Sequence, residues 1–251
     1  MTLALKWGWS TDVGQVRQVN QDAAAATGDL FVVADGMGGH RGGEVAADIA
    51  AGHLQMQSAV GDVDQLAEEI IAANTMIRAR ASVDTELTGM GTTIVALALL
   101  ASTDERISLA AANVGDSRMY VFYDDVFAQL TDDHSLVGEL VRAGQITPEE
   151  AGRHPQRNVV TRALGVEDGI DVDTWEFPAM VGQRYLLCTD GLIDEISDGE
   201  IADVLRQVSN PKLAAMHLVD MANRAGGRDN ITVLIVDVID EPTCETQETE
   251  N

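Results

Sequence analysis

Four aspartates stand beside apolar runs in distant parts of the sequence, a placement that suggests shared chemistry. Asp35 follows the run "FVVA", Asp190 follows "YLLCT", Asp229 precedes "NITVLIV", and Asp116 lies in "NVGDSR" between two apolar segments. Acidic residues are poor strand formers, so each aspartate is expected where a strand ends. Because strand ends at one sheet edge can meet in a cleft, these four carboxylates are candidates for a common site.

Such a site would need a cation. Crowded carboxylates repel one another, so one must stay protonated unless a positive ion lies between them. A ligand set of oxygen atoms suits Mg²⁺ or Mn²⁺ and not zinc. Gly36 follows Asp35 and would let the backbone approach an ion closely enough to offer a carbonyl oxygen.

Asp-Gly is also a common turn dipeptide, and taken alone the pair Asp35-Gly36 favours a turn. Two other pairs are interpreted as plain turns, Asp168-Gly169 and Asp198-Gly199. The presence of the other three similarly placed aspartates makes a ligand role for Asp35 the favoured interpretation.

The N-terminal segment "VRQVNQD" adds polar residues of other kinds. Arg17 could bind a phosphate group through two parallel hydrogen bonds, or it could form a surface ion pair in an acidic protein. Asn20 and Asp22 could be turn formers, or they could hold metal-bound waters.

The elements that must position these residues are irregular in order. Apolar runs rich in Val, Ile and Leu predict buried strands at Phe31–Ala34, Thr92–Leu100, Ile107–Asn113, Arg118–Tyr123, Tyr185–Thr189 and Ile231–Val238. Helical spacing predicts helices around Val45–Leu54 and Leu66–Ile77 and across Leu136–Ala143 and Lys212–Arg224. This order is not a regular strand–helix alternation, so we expect an α+β sandwich with helices covering stacked sheets. The polar, turn-rich segment Ala143–Asn158 is expected to be a mobile flap.

Composition bounds the class of protein. The chain has 251 residues, 45% of them hydrophobic, which suits one domain with a sizeable core. With 16 Lys and Arg against 41 Asp and Glu, the net charge of −25 argues against nucleic-acid and anionic-membrane partners. We expect no signal peptide, because the N-terminal residues lack a basic segment followed by a long apolar one. The longest clean apolar run, Ile94–Ala101, is too short to span a membrane.

The cysteines indicate the compartment. Cys188 and Cys244 have no CxxC spacing, which argues against a disulfide framework or a zinc site and favours a reducing cytosol. We therefore expect a cytoplasmic protein. Residues 241–251 form a polar, acidic tail that is expected to be disordered.

Eight motifs then occur in a recognisable order: "RQVNQD", "VVADGMGGHRGGEVA", "GTT", "NVGDSRMY", "LTDDHSLV", "HPQRNVVTRALG", "LLCTDGL" and "GGRDNITVLIV". As a set, they resemble the PPM family of metal-dependent protein phosphatases, the type-2C serine/threonine phosphatases, in their compact bacterial form. The resemblance covers Trp7–Asp237. It implies a four-layer α-β-β-α sandwich with two antiparallel sheets and a metal centre at one edge. The catalytic domain would span residues 1–240, with the flap at about 143–160.

The resemblance also implies roles for individual residues. Asp35 would bridge two Mn²⁺ or Mg²⁺ ions, Asp190 and Asp229 would complete the first site, and the Gly36 carbonyl would bind the second ion. Asp116 with Asp190 would hold the third, weaker ion that bacterial members often show.

Further residues would act around these ligands. Asp22 would act from the outer shell through water, Asn230 would support the site beside Asp229, and Arg17 would hold the substrate phosphate. Two cations lower the pKa of a bridging water, and the resulting nucleophile would attack phosphorus in line with the leaving oxygen.

The donor of the leaving-group proton stays open. Some family members carry a histidine two residues after the bridging aspartate, where this chain has Met37. His40 could donate the proton, a metal-bound water could, or His40 could only orient its loop. His154 in the flap is either an exposed loop residue or a substrate contact.

Four other residues are given structural interpretations. His134 is expected to cap or stabilise the start of a helix, and Arg162 is expected to pack or pair structurally. Trp7 and Trp9 are expected to lie in the core of a strand.

Three functions are compatible with these motifs. The first is a monomeric phosphoprotein phosphatase that opposes a bacterial serine/threonine kinase. The second is a phosphatase dedicated to one phosphoserine switch protein. The third is a non-catalytic pseudophosphatase, which would predict a broken ligand set; the four aspartates are all present, which argues against it.

Overall fold

The computed structural model describes residues 3–38, 41–57, 59–100 and 107–240. The strands in this part of the chain are β1 (Leu3–Asp12), β2 (Asp22–Ala26), β3 (Leu30–Met37), β4 (Gly91–Thr92), β5 (Ile94–Leu99), β6 (Ser108–Val114), β7 (Arg118–Tyr123), β8 (Val126–Gln129), β9 (Asp173–Pro178), β10 (Arg184–Cys188) and β11 (Ile231–Asp240). The helices are α1 (Gly42–Gln55), α2 (Val63–Val83), α3 (Leu136–Arg142), α4 (Pro148–Ala151), α5 (Asp190–Ile193), α6 (Asp198–Gln207) and α7 (Pro211–Ala225), with a 3-10 turn at Thr85–Leu87.

The strands form two antiparallel sheets. The first sheet has the order β1-β11-β10-β7-β8, and the second has the order β2-β3-β5-β6-β9 with the short β4 paired to β3. Helices α1 and α2 pack on the outer face of the second sheet, and α5 to α7 pack on the outer face of the first. The predicted four-layer α-β-β-α sandwich is confirmed.

The run that precedes Asp35 shows why its sequence is apolar at every position. Phe31 and Val33 of β3 point into the core between the sheets, whereas Leu30 and Val32 point toward α1 and α2. Both faces of β3 are therefore buried, as the unbroken apolar pattern predicted. The predicted strand Phe31–Ala34 is correct in place but too short, because β3 continues to Met37.

Side-chain caps begin helices α6 and α7. Ser197 and Glu200 form a reciprocal capping box at the start of α6, and Asn210 caps α7 by accepting from the Leu213 amide. The interpretation of Asp198-Gly199 as a turn was wrong, because both residues lie in the first turn of α6. An acidic residue is favoured there by the positive end of the helix dipole.

Some predictions about the elements need correction. The single strand predicted over Thr92–Leu100 is divided at Thr93 into β4 and β5. Trp7 and Trp9 lie in β1 but are 39% and 36% exposed, because β1 is an edge strand whose neighbours cover one side only. Their rings contact Phe31 and Lys212. The helix predicted over Leu136–Ala143 is confirmed.

The polar segment predicted as a flap follows α3 and contains α4. Its base is closed where Ser135 pairs with Val160, with the Leu136 amide donating to the Val159 carbonyl at 2.8 Å. Its mobility stays a prediction. Within the described ranges, every helix is too short or too polar to cross a membrane. The predicted tail at 241–251 lies outside the described residues.

Candidate active site

The structure brings the four aspartates together at one edge of the sandwich. Asp35 comes from the second sheet, Asp116 from the β6–β7 connection, and Asp190 and Asp229 from segments beside β10 and β11 of the first sheet. All four line one cavity of about 230 Å³. Within the part of the chain that the structure describes, Arg17 is the one basic residue lining it.

Asp35 lies inside β3, so the turn interpretation of Asp35-Gly36 was wrong. Its backbone is held on both sides by the "GTT" motif. The Asp35 amide donates to Thr93 Oγ1 at 3.0 Å, and its carbonyl accepts from the Thr93 amide and the Thr92 hydroxyl, each at 2.9 Å. The Thr93 hydroxyl also bonds to Ser117 Oγ at 2.7 Å, beside Asp116. The motif therefore links two of the aspartates, a role that its sequence did not reveal.

Gly36 is a glycine for a packing reason. A Cβ at this position would overlap the Gly43 carbonyl of α1 and lie 2.5 Å from the Gln21 carbonyl oxygen. Helix α1 can approach β3 this closely only because both facing residues are glycines. Gly36 lines the cavity, so its carbonyl stays a candidate ligand.

Asp22 lies directly across from Asp35 on the paired strand β2. Its Oδ2 accepts hydrogen bonds from Thr189 at 2.9 Å and Thr232 at 2.7 Å, whereas its buried Oδ1 has no hydrogen-bond partner. Burial raises the pKa of Asp22 to about 7, against the lowering effect of the two threonine bonds. The neighbouring Asp190 and Asp229 contribute to this raised pKa.

Asp190 and Asp229 are brought together by close backbone packing. Gly191, the residue after Asp190, packs so tightly on Asn230 that a Cβ would overlap the Asn230 carbonyl oxygen. Asp190 Oδ1 is buried without a hydrogen-bond partner, and Asp229 Oδ1 accepts from the Asn230 amide at 2.8 Å.

Asn230 ties the site to the N-terminal segment. Its side-chain amide donates to the carbonyls of Val13 and Val19, at 2.9 and 3.0 Å, and its side-chain oxygen accepts from the Gln21 amide at 2.8 Å. These bonds hold the loop that carries Arg17 over the cavity. The Arg17 guanidinium lies 2.6 Å from Asp229 Oδ2, with the Arg17 side chain 53% exposed.

Asp116 is held through its neighbours. The Gly115 amide donates to His134 Nδ1 at 3.0 Å, so His134 Nε2 carries the proton and donates to Asp173 at 3.1 Å. The helix-cap role predicted for His134 was wrong, since Ser135 caps α3. His134 is instead buried and braces the Asp116 turn, and burial lowers its pKa below the usual 6.5. Arg162 pairs with Asp173, the structural role predicted for it.

Burial and mutual repulsion raise the pKa values of the buried carboxylates of the site. Burial, followed by repulsion from Asp22, Asp190, Asp116 and Asp229, raises the pKa of Asp35 well above its usual range. Burial and the neighbouring aspartates raise the pKa of Asp116 to about 7 and that of Asp190 to about 6.

These residues fit a hard divalent cation. Two buried carboxylate oxygens, on Asp22 and Asp190, have no hydrogen-bond partner, and carboxylate and carbonyl oxygens are the donors that Mg²⁺ and Mn²⁺ prefer. Among the described residues, no three His, Cys, Asp or Glu side chains have the geometry of a formed metal site. The aspartates line one cavity, but their side chains are not arranged around a single ion position.

A second cavity of about 470 Å³ lies beside the first and shares Asp116, Asn158 and Asp190 with it. Flap residues form one wall, and Arg157 of the flap lies 3.7 Å from Asp194 after α5. His154 lines neither cavity, and its Nδ1 accepts from the Gln156 amide. His40 lies outside the described residues.

An α-β-β-α sandwich whose two sheets contribute carboxylates to a cavity at one edge is the architecture of the PPM phosphatases. The comparisons with known proteins agree. The family model of protein phosphatase 2C matches residues 14–226. The chain belongs to this family.

Relatives and solved structures give the extent of the similarity. The chain is 39% identical to serine/threonine protein phosphatase PstP of Mycobacterium tuberculosis, over 98% of this chain and 48% of that protein, so it spans about half of that relative. It is 39% identical to serine/threonine phosphatase Stp of Listeria welshimeri, over 90% of this chain and 93% of that one.

The M. tuberculosis PstP/Ppp crystal structure matches with a TM-score of 0.87 and 38% identity, covering 94% of this chain and all of that one. The PstP catalytic domain with two manganese ions matches with a TM-score of 0.85 and 37% identity, covering 95% of this chain and all of that one.

Proposed function

We propose that this chain is a metal-dependent protein serine/threonine phosphatase that hydrolyses phosphoserine and phosphothreonine with a metal-activated water. The observation that carries the proposal is the set of mutually repelling carboxylates that line the 230 Å³ cavity, together with unpartnered buried oxygens on Asp190, which lines it, and on Asp22, which pairs with Asp35. The phosphatase names of its relatives support the same activity.

The ligands proposed for two Mn²⁺ or Mg²⁺ ions are Asp35, Asp190, Asp229 and the Gly36 carbonyl. Asp22 would act through water, and Asp116 with Asp190 would hold a third, weaker ion. When bound, the cations would supply a water whose pKa is lowered toward neutrality. The two manganese ions in the solved PstP catalytic domain support a site for divalent cations.

Arg17 would bind the substrate phosphate. Its guanidinium is already at the cavity, and its ion pair with Asp229 is half-exposed. Exposed pairs of this kind contribute only about 0–1 kcal/mol, so exchanging the carboxylate for a phosphate costs little. Two parallel N–H bonds would then orient the phosphoryl group and offset its charge.

A cysteine nucleophile does not fit this chain's described residues. Cys188, the last residue of β10, is buried in the core that faces α5 to α7, and burial raises the pKa of its thiol. The thiolate that attack requires is therefore disfavoured. A buried cysteine without a disulfide, as Cys188 is among the described residues, also suits a reducing compartment and supports a proposed location in the cytoplasm.

The leaving-group proton would come from His40 or from a bound water. Met37 lines the cavity and carries no proton to donate, and the described residues around the cavity include no histidine. The substrates would be phosphoproteins made by a serine/threonine kinase, with the monomer as the active form. Their peptide segments would lie in the second cavity, against Arg157 and Asn158 of the flap.

The test is hydrolysis of a phosphothreonine peptide with Mn²⁺, with Mg²⁺ and with a chelator. Activity should require the cation, and Asp35→Asn and Asp229→Asn should each lose on the order of a hundredfold in kcat/KM. Asp64→Asn, an exposed position in α2, is the matched control and should retain full activity. Activity that survives chelation, or full activity in both site variants, would overturn the proposal.

A further inference from the structure

The segments that carry Asp190 and Asp229 are joined by a second contact outside the cavity. Glu195, just after α5, has a side chain only 3% exposed, and it accepts bonds from Arg228, whose side chain is 60% exposed. The Arg228 amide and Nε both donate to Glu195 Oε1, at 2.9 and 2.8 Å. Arg228 Nη2 donates to Glu195 Oε2 at 3.3 Å and to the Asp194 carbonyl at 2.8 Å.

These bonds act on the backbone next to both candidate ligands. Glu195 lies five residues after Asp190, and Arg228 immediately precedes Asp229. Gly226 approaches the same carboxylate, since a Cβ there would lie 2.7 Å from Glu195 Oε2. The glycine-containing loop before β11 has many available conformations, and the buried carboxylate selects one of them.

We propose that Glu195 and Arg228 form a positioning pair that sets the separation of the Asp190 and Asp229 carboxylates and thereby raises the affinity for the divalent cation. This inference rests on the proposed function, in which both aspartates hold the cation. If the pair only stabilised the fold, a contact between the two side chains would be enough. Here the carboxylate also fixes the peptide N–H one residue from a ligand, which ties its position to the geometry of the site.

The test is direct binding of Mn²⁺ to the full chain by calorimetry, below the unfolding temperature of every variant. Glu195→Gln and Arg228→Gln should each raise the Kd for Mn²⁺ about tenfold. The double variant should bind about as weakly as either single one, because both changes remove the same interaction. At saturating Mn²⁺, kcat should stay within about twofold of the wild-type value.

Two controls separate positioning from stability. Asp237→Asn breaks the buried Arg184–Asp237 pair, which joins the same strands β10 and β11 at their other end. Glu69→Gln breaks the His53–Glu69 pair between α1 and α2. Both should lower the unfolding temperature and leave the Kd for Mn²⁺ unchanged, and the second is available if the first does not fold.

Each outcome has a distinct meaning. Wild-type Mn²⁺ affinity in Glu195→Gln would overturn the positioning role while leaving the proposed function intact. A control variant that weakens Mn²⁺ binding as much as Glu195→Gln would also overturn it, because lost stability would then explain both. A wild-type chain that neither binds Mn²⁺ nor hydrolyses the peptide would instead overturn the proposed function.

Discussion

Replacing Gly191 with alanine should separate the two segments that carry Asp190 and Asp229. The added Cβ would overlap the Asn230 carbonyl oxygen and lie 3.0 Å from its carbonyl carbon and 3.4 Å from Ile231 Cγ1. The first two neighbours are backbone atoms, so one segment must move by about 1 Å. Overpacking of this kind typically costs about 1–3 kcal/mol, and we expect about 3 kcal/mol because no flexible side chain can yield.

Thermal unfolding and peptide hydrolysis measure the two consequences. A loss of about 3 kcal/mol should lower the unfolding temperature by roughly 6–12 °C in a domain of this size. A shift of about 1 Å between two candidate ligands should lower kcat/KM by roughly a hundredfold at saturating Mn²⁺.

Gly199→Ala is the matched control for this change. Gly199 lies in the first turn of α6, and a Cβ there would meet nothing within 4 Å. Alanine should therefore stabilise that helix by about 0.5–1 kcal/mol and leave activity unchanged. If Gly191→Ala has the same unfolding temperature and the same kcat/KM as Gly199→Ala, the close packing of Gly191 on Asn230 does not set the site geometry.

Three further results are expected. Thr93→Val removes the hydroxyl that accepts the Asp35 amide, so it should cost about 1–3 kcal/mol of stability and lower kcat, and Thr93→Ser should restore both. Arg17→Ala should raise KM on the order of tenfold while the thermal stability changes little, and an unchanged KM would remove its phosphate-binding role. Because burial lowers the pKa of His134, the unfolded chain binds this proton more readily, and the contribution of His134 to the free energy of unfolding should fall as pH drops below about 6.5. The buried aspartates of the site have raised pKa values and change the stability in the opposite direction over the same range, so the His134 contribution is measured as the difference between the wild type and His134→Gln in chemical denaturation across pH. A difference that does not change with pH would contradict the assignment.

The parts of the fold that the sequence predicted share a strong local pattern. The run Phe31–Ala34 before Asp35 and the run Tyr185–Cys188 shortly before Asp190 are apolar because their strands are covered on both faces. Strand β2 escaped prediction because it consists of one aspartate and four alanines, which are poor strand formers. Its conformation comes from pairing with β3, and that pairing places Asp22 opposite Asp35.

The residues that support the site could not be predicted from short stretches of the sequence, because their partners are distant along the chain. Thr93 lies 58 residues from Asp35, and Glu195 lies 33 residues from Arg228, so no short window contains both partners. The aspartates could be found because each stands beside an apolar run. The sequence around Thr93, between two strands, and around Glu195, after a short helix, carries no distinctive pattern, so the roles of these residues follow only from the assembled sheets.

The long ladder of β11 determines which residue enters the cavity. Strand β11 pairs with β1 over ten residues and with β10 over five, so its register is fixed far from the site. Asp229 and Asn230 stand at its entrance, one lining the cavity with a carboxylate and the other anchoring the Arg17 loop with its amide. A slip of one residue would exchange these two positions and turn every β11 side chain to the opposite face. A single inserted residue near the middle of β11 would therefore destroy the site while leaving each of its residues unchanged.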